Sequence, residues 1–339
     1  MVDLVSEIIT GLENPSAYPH PTTSIQRIIT GVSIVFLSGY FAYKFNKPLN
    51  LGFLDFSTLE KRKDQCEKEF RYNSLISPDL YLGVVAITKD KKGKISINGA
   101  GEIIEYAVKM KQLDSSLIMS ELLKKDKVTS EHLKELAKKI FYFHQRAMTN
   151  KEIASFGTVE NIQFNWDENF QQTEKYKQKV ISEKDFQFLQ KKVNEFIQKK
   201  KGLFSERVKK DKIKHCHGDF HSANVFITPE GIYIFDGIVF NKRFPCSDVI
   251  AEIAFMAMDL DFHGKKSLAK VFVQEYQELS NDSDIPKLLD FYKCYRAYIR
   301  AKINCFTSED VNLTAAEKQK TITNAQKYFQ LAKKYAELL

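Results

Sequence analysis

The feature that most constrains the fold is a predicted β-hairpin in the second half of the 339-residue chain. Its strands cover Val225–Thr228 and 232–236, and alternating apolar residues and a Pro-Glu-Gly turn support this assignment. The motif His-Gly-Asp precedes the first strand, and an acid ends the second. The hairpin therefore places three polar side chains at one end of a small sheet: Asp219, Asn224 and Asp236.

The spacing of these three side chains suits phosphoryl transfer. Asn224 follows Asp219 by five residues, and Asp236 follows Asn224 by twelve. One carboxylate can accept the proton of an attacking hydroxyl, while an amide oxygen and a second carboxylate can hold magnesium ions on the nucleotide phosphates. Each residue alone is better explained as an ordinary turn or strand-end residue. Together, at this spacing, they favour a catalytic interpretation.

Composition excludes several classes of protein. An apolar fraction of 43% is enough for a sizeable core. The net charge of +8 can favour anionic ligands such as nucleotides, but it is too diffuse to indicate a nucleic-acid-binding protein. The basic cluster that runs from 199–201 through Arg207 to Lys214 is interpreted as a solvated helix end and loop.

Cysteine usage and hydropathy indicate a cytoplasmic protein. The five cysteines include no Cys-x-x-Cys pair, so we expect reduced thiols without disulfides or structural zinc. The N-terminus lacks the pattern of a signal peptide. The longest apolar stretch, 32–45, is interrupted by Ser38-Gly39 and is too short to span a bilayer, so it is predicted to form two strands.

The hydrophobic pattern predicts an α+β fold in two parts. Residues 1–110 should form a nucleotide-binding lobe, with a short amphipathic helix within 1–14 and a helix over 58–75 after the third strand. Residues 111–339 should form a mainly helical catalytic and substrate-binding lobe, with an almost wholly apolar, buried helix over 249–260. The strands of the first lobe are predicted over 24–30, 32–37, 40–45, 82–88, 94–97 and 102–110.

Lys44 on the third strand is the candidate phosphate anchor. A lone lysine in a strand is more often solvated, but this one follows a strand–turn–strand unit and precedes a helix, as a kinase phosphate-anchoring lysine does. The helix offers Glu67 or Glu69 as its ion-pair partner. Phe70 and Asn73 frame the second acid on the inward face, which favours Glu69.

Two further nucleotide contacts are predicted from position. The turn between the first two strands should cover the nucleotide, which points to Gly31. Because a Gly-x-Gly-x-x-Gly loop is absent, an ordinary hairpin glycine is an equally good explanation. The adenine should meet the chain that joins the lobes, over 108–113, and Met110 is the residue assigned to that contact.

Several longer segments point to a known family. They are 17–21, 35–39, Tyr43-Lys44, 52–60, 78–85, 217–219, 235–236 and 248–259. In these segments the chain resembles a bacterial branch of the aminoglycoside phosphotransferase-like family, whose members often carry a C-terminal P-loop kinase domain. The resemblance implies a bilobal protein-kinase-like fold, with a small antiparallel sheet lobe and a larger helical lobe. It also implies ATP-dependent phosphorylation of a hydroxyl.

The resemblance also implies roles for individual residues. By match, Asp219 would be the catalytic base, Asn224 and Asp236 the metal ligands and Lys44 the phosphate anchor. Asp248 would be the buried acid that steadies the catalytic loop. The chain differs from the family pattern by ending after its last helix without the P-loop domain, which puts in doubt any activity that depends on that domain.

The sequence thus predicts a kinase that uses ATP and Mg²⁺ to phosphorylate a small molecule. Only eleven residues separate Asp236 from Asp248, and at ~3.3–3.6 Å per residue they leave little chain for a peptide platform. The alternative is a nucleotide-binding regulatory pseudokinase or scaffold, against which the intact set of candidate residues argues. A nucleic-acid-binding function would rest only on net charge and lysine clusters, and no membrane partner is expected.

Overall fold

The computed structural model describes residues 4–52 and 54–339. Phe53, in one of the segments that carry the family resemblance, and the first three residues of the predicted N-terminal helix lie outside this part. The chain divides into two compact units. The first comprises the residues up to Ile118 together with Phe226–Lys242, and the second comprises Met119–Val225 and Arg243–Leu339. This division differs from the boundary predicted at residue 110.

Helices and strands follow the predicted order. The strands are β1 (Gln26–Ile29), β2 (Ser33–Leu37), β3 (Phe41–Asn46), β4 (Tyr81–Lys89), β5 (Ile95–Ile97), β6 (Glu102–Lys111), β7 (Ile213–His215), β8 (Val225–Thr228), β9 (Gly231–Ile234) and β10 (Cys246–Asp248). The helices are α1 (Leu4–Leu12), α2 (Leu59–Asn73), α3 (Met119–Lys124), α4 (Ser130–Arg146), α5 (Lys151–Ser155), α6 (Val159–Thr173), α7 (Glu183–Lys209), α8 (Val249–Phe262), α9 (Lys266–Ser280), α10 (Ile285–Thr307) and α11 (Ala315–Ala336). The predicted α+β class is confirmed.

The first unit is built on an antiparallel sheet with strand order β1-β2-β3-β6-β4-β5. Because side chains alternate across a strand, β3 presents different residues to the two faces. Tyr43 and Phe45 pack with α1 in one apolar cluster. Lys44 points to the other face, where Val108 of β6 is its register partner and Cys66 of α2 packs. The alternation therefore directs the lysine toward α2.

The end of α2 anchors the hairpin formed by β8 and β9. The helix starts at the N-cap Thr58, whose side chain accepts a hydrogen bond from the backbone N–H of Lys61. Just beyond its C-terminus, the hydroxyl of Ser77 donates to the carbonyl of Ile234 at 2.9 Å and accepts from the N–H of the same residue at 3.0 Å. This reciprocal pair fixes the end of β9, from which Asp236 follows.

The second unit is helical, and α8 lies in its core. Every residue from Val249 to Leu260 is buried, which confirms the prediction from the apolar sequence of this segment. The adjoining strand β10 pairs antiparallel with β7. Among the residues that the structure describes, none of the helices is both long and apolar enough to cross a membrane. All five cysteines are buried thiols.

One member of the predicted solvated basic cluster is buried. Arg207 is 1% exposed, and its guanidinium binds Asp248 with contacts of 2.6 and 2.7 Å. The same guanidinium contacts Asp282 at 2.6 and 2.7 Å. The prediction was wrong for this residue because Arg207 lies one helical turn after the buried Phe204 and continues the inward stripe of α7. A run of charges in the sequence does not reveal such a position.

We expect Arg207→Ala to destabilise the fold by about 3–5 kcal/mol, because it leaves two buried carboxylates without their cation. Urea unfolding followed by circular dichroism would measure the loss. Lys209→Ala on the same helix removes only the surface pair with Glu206 and should leave the unfolding midpoint unchanged. Equal unfolding midpoints for wild type and the Arg207 variant would contradict the expectation.

Candidate active site

Lys44 is the centre of an ionic group in the first unit. Its Nζ lies 2.9 Å from Oε1 of Glu69 and 2.5 Å from Oδ1 of Asp236. Glu69 reaches the lysine because it lies on the buried face of α2, one turn after Cys66. Glu67, the other candidate, is exposed and pairs with Lys63 at 3.7 Å. The structure thus brings Lys44 together with the acid that the sequence favoured.

Electrostatics keep the lysine charged. Burial disfavours the ammonium form of Lys44, but the carboxylates of Asp236 and Glu69 outweigh it and raise its pKa well above the ordinary value. Burial also raises the pKa of Glu69, and the attraction of Lys44 opposes this shift. A cation is therefore held firmly between two carboxylates, and one of these, Asp236, is half-exposed, with 51% of its side chain accessible.

The backbone at Asp236 has a left-handed conformation, with φ of +62°. A residue with a Cβ atom adopts this conformation at a cost of about 1–2 kcal/mol, so the surrounding contacts must hold it. The N–H of Asp236 donates to the hydroxyl of Tyr81 at 2.9 Å. The following N–H, of Gly237, donates to Oδ1 of Asn73 at 2.8 Å. These two bonds aim the carboxylate at Lys44.

In the second unit, the segment 217–224 brings Asp219 and Asn224 together. The Nδ2 group of Asn224 donates to both the backbone oxygen and Oδ2 of Asp219, each at 3.0 Å. This contact fixes the orientation of the amide, because a rotated amide would set oxygen against two acceptors. Nδ1 of His221 accepts from the N–H of Ala223, so its proton lies on Nε2, 3.4 Å from Oδ2 of Asp219.

The Asp219 carboxylate is ionised at neutral pH. Burial alone would raise its pKa, but the attraction and hydrogen bond of His221, together with the attraction of Arg300 and His217, outweigh burial and hold the pKa below its usual range. The side chain is 37% exposed, and the hydrogen bonds from Asn224 fall on its Oδ2 and backbone oxygens. The other carboxylate oxygen, Oδ1, is therefore suited to meet a ligand.

A buried acid of α8 holds the start of this segment in place. The Glu252 carboxylate is fully buried and accepts the N–H groups of His217 and Gly218, each at 2.8 Å. Its Oε2 also lies 3.1 Å from Nε2 of His144. Asp259, two turns further along α8, accepts the N–H of Ser222 at 2.9 Å. Two acids of one buried helix thus fix both halves of the segment.

The role implied for Asp248 therefore belongs to Glu252. Asp248 is buried, but its side chain binds Arg207 and caps α8 by accepting the N–H of Ile250 at 2.9 Å. Sequence analysis missed the role of Glu252, although a signal was available. An acid in a buried, mostly apolar helix must have hydrogen-bond donors around it.

The remaining predicted site residues are less constrained. Gly31 lies in the exposed turn between β1 and β2, and an added Cβ atom would meet nothing within 4 Å. Local backbone geometry therefore does not require glycine there. Met110 is paired with Ala42, so it lies on the same sheet face as Lys44 and packs beside Tyr81 and Val108. Their contacts with a nucleotide remain predictions.

Sequence comparison gives relatives without a known activity. No family model matches the chain. Uncharacterized proteins of Mycobacterium tuberculosis and Mycobacterium bovis are 30% identical over 289 residues, which cover 84% of this chain. The chain spans about half of the length of these relatives, 56%.

Comparison with solved structures confirms the predicted protein-kinase-like fold. A choline kinase from Cryptosporidium parvum matches with a TM-score of 0.57 and 13% identity, covering 98% of this chain and 97% of that one. A choline/ethanolamine kinase family protein from Mesorhizobium loti has a TM-score of 0.51 and 10% identity, with 99% and 100% covered. A putative aminoglycoside phosphotransferase from Ralstonia eutropha has a TM-score of 0.51 and 11% identity, with 99% and 98% covered. At such identities, the likeness shows the fold alone.

We expect Glu252→Gln to lower the free energy of unfolding at pH 7 by about 1–3 kcal/mol, because the amide gives one of the two buried N–H groups a neutral acceptor and leaves the other against an NH2 donor. Burial opposes ionisation of Glu252, but His144 and His217 hold its pKa below the ordinary value. The stability from its ionised form is thus complete above the unfolded pKa, about 4.3, and lost as pH falls through the folded pKa.

The difference in stability between wild type and the Glu252 variant should therefore shrink in acid. Denaturant titrations at a series of pH values would show this. Glu278→Gln, at an exposed position of α9, is the control. A difference that stays constant down to pH 3 would contradict the ionised role.

Proposed function

We propose that this chain is an ATP- and Mg²⁺-dependent phosphotransferase that transfers the γ-phosphate to a hydroxyl of a small molecule. The observation that carries the proposal is the half-exposed Asp236 carboxylate, held against the largely buried, charged Lys44. That combination suits a metal–triphosphate ligand, whose cation needs an accessible carboxylate and whose phosphates need a fixed cation. The fold, shared with kinases, supports the same conclusion.

The donor atoms fit magnesium. Mg²⁺ prefers oxygen ligands, is held by one or two protein groups and takes its remaining ligands from water and phosphate. Asp236 offers an accessible carboxylate, and Asn224 offers its Oδ1 because its Nδ2 is engaged with Asp219. These two residues would hold the ion. Bound there with ATP, it would neutralise charge on the phosphates.

Lys44 would bind phosphate oxygens. Its side chain is largely buried and stays charged, and in a poorly solvated site such a group attracts an anion more strongly than a surface lysine does. Glu69 would hold the lysine in place through the 2.9 Å ion pair. Glu69 is thus assigned a positioning role, and the phosphate contact itself belongs to Lys44.

Asp219 would orient the acceptor hydroxyl and take its proton. Its Oδ2 is fixed by Asn224, so Oδ1 is the oxygen proposed to accept the hydroxyl proton. Because its pKa is held low, the carboxylate is always in the accepting form at neutral pH. A strongly depressed pKa also makes it a weak base, so proton transfer should come late, after the oxygen–phosphorus bond has begun to form.

The proposed acceptor is a small molecule and not a protein. The segment between Asp236 and Asp248 contains eleven residues, and the last of them already belong to β10. A peptide platform in this position needs a longer segment. The length of this segment is the support for the acceptor class.

We expect Asp219→Asn to retain nucleotide affinity and to lose about 10²–10⁴-fold in phosphoryl transfer, because an amide cannot take the hydroxyl proton. Labelled ATP, with and without Mg²⁺, would be incubated separately with the filtrate of a cell extract passed through a small-pore filter and with the proteins that the filter retains. Label should appear in low-mass products with the wild type alone. Phosphoryl transfer only to retained proteins would contradict the proposal of a small-molecule acceptor. ATP binding without any transfer would favour a pseudokinase.

We expect Lys44→Ala to weaken nucleotide binding or turnover and Glu69→Ala to reproduce part of that loss, because the two residues form one ion pair. In a double-mutant cycle, the coupling energy should be about 0.5–3 kcal/mol. Glu67→Ala is the matched control on the same helix and should behave as the wild type. Strictly additive losses would show that Glu69 does not act through Lys44.

A further inference from the structure

Two arginines of α10 face the segment that carries Asp219. Arg296 donates from Nη1 to the carbonyl of Gly218 and from Nε to the carbonyl of Ala251, both at 3.1 Å. Arg300 follows one helical turn later on the same face. Arg296 is anchored at Gly218, directly before Asp219, so an arginine one turn along α10 is placed near the same segment, and the electrostatic attraction between Arg300 and Asp219 agrees with this placement.

Arg300 differs from the buried arginines of the fold in its partners. Arg62 contacts Glu105 at 2.6 Å and Arg207 contacts Asp248 at 2.6 Å. Within the described part of the chain, Arg300 forms no ion pair with a carboxylate, and its buried Nε–H has no hydrogen-bond partner. Its guanidinium lies 5.8 Å from the ring centre of Tyr328 and also hydrogen-bonds the side chain of that residue. Burial raises the pKa of that tyrosine to about 12, so this neighbour is neutral.

The nearby acids are already engaged. Asp259 is 3% exposed and accepts the N–H of Ser222. Asp219 is held by Asn224 and, under the proposed function, receives the acceptor hydroxyl. A cationic acceptor would need a further carboxylate beside the base, whereas an anionic one would meet the donors of Arg300 that Tyr328 does not engage. A guanidinium binds carboxylate or phosphate through paired, charge-assisted hydrogen bonds.

We propose that Arg300 binds an anionic group, a carboxylate or a phosphate, on the acceptor whose hydroxyl meets Asp219. The inference rests on the proposed function and narrows its substrate class to hydroxylated acids or sugar phosphates. The transferred phosphoryl group of the nucleotide has the same oxyanion chemistry, so the test must separate these two sources.

The test is calorimetric titration with acceptors that differ in charge. The first set is glucuronate, glucose and glucosamine, and the second is glycerate, glycerol and serinol, all in the presence of Mg²⁺ and ADP. In at least one set, the acid should bind the wild type about 10–100-fold more tightly than its neutral and cationic counterparts. Arg300→Gln should remove that preference and Arg300→Lys should restore part of it. Lys302→Gln should retain it, because Lys302 binds Asn169 and Gln172 on another face of α10.

Three results would overturn the inference. The first is equal binding of acidic and neutral compounds in both sets, and the second is an acid preference that survives Arg300→Gln. The third is a kinetic result: Arg300→Gln lowers acceptor-free ATP hydrolysis as much as it lowers acceptor-dependent turnover. The last would assign the guanidinium to the transferred phosphoryl group. Binding is measured without turnover, so it tests the inference separately from the proposed function. If the proposed function fails, the wild type still binds acids preferentially but transfers no phosphoryl group.

Discussion

The buried carboxylate of Glu252 holds the start of the candidate catalytic segment. Because α8 is buried along almost its whole length, this acid has no access to water and needs donors from the protein. Two backbone N–H groups and His144 supply them. If the segment that carries Asp219 moved away, the buried carboxylate of Glu252 would lose its backbone donors. The packing of α8 in the helical unit therefore also fixes the position of the candidate base, Asp219.

The first unit uses ionic contacts differently. Lys44 is shared between a fully enclosed acid, Glu69, and a half-exposed one, Asp236. The enclosed acid can only hold the lysine, whereas the accessible acid can exchange partners when a ligand arrives. In the second unit, Arg207 lies among acids that are all largely buried, and its contacts are purely structural. An ion pair with one accessible partner can bind a ligand, whereas an ion pair with only buried partners stabilises the fold.

Local sequence patterns predicted the strands, α2 and the pairing of Lys44 with Glu69, because side-chain alternation and helical periodicity are local properties. The inward position of Arg207 and the hydrogen bonds of Glu252 were not predicted. Both depend on residues far away in the sequence, and a single sequence does not show which of them meet. The open donor of Arg300 escaped notice for the same reason, since a missing partner is visible only in three dimensions.

The left-handed backbone at Asp236 restricts which residues can replace it. Glycine, asparagine and aspartate tolerate this conformation, whereas a glutamate or a β-branched residue would strain the turn even if its polarity were suitable. Position 236 therefore selects for residues that tolerate this backbone, and the proposed metal role would add the requirement for an oxygen ligand. Few single substitutions satisfy both requirements. Under the proposed function, an evolutionary change in specificity should consequently arise at other positions.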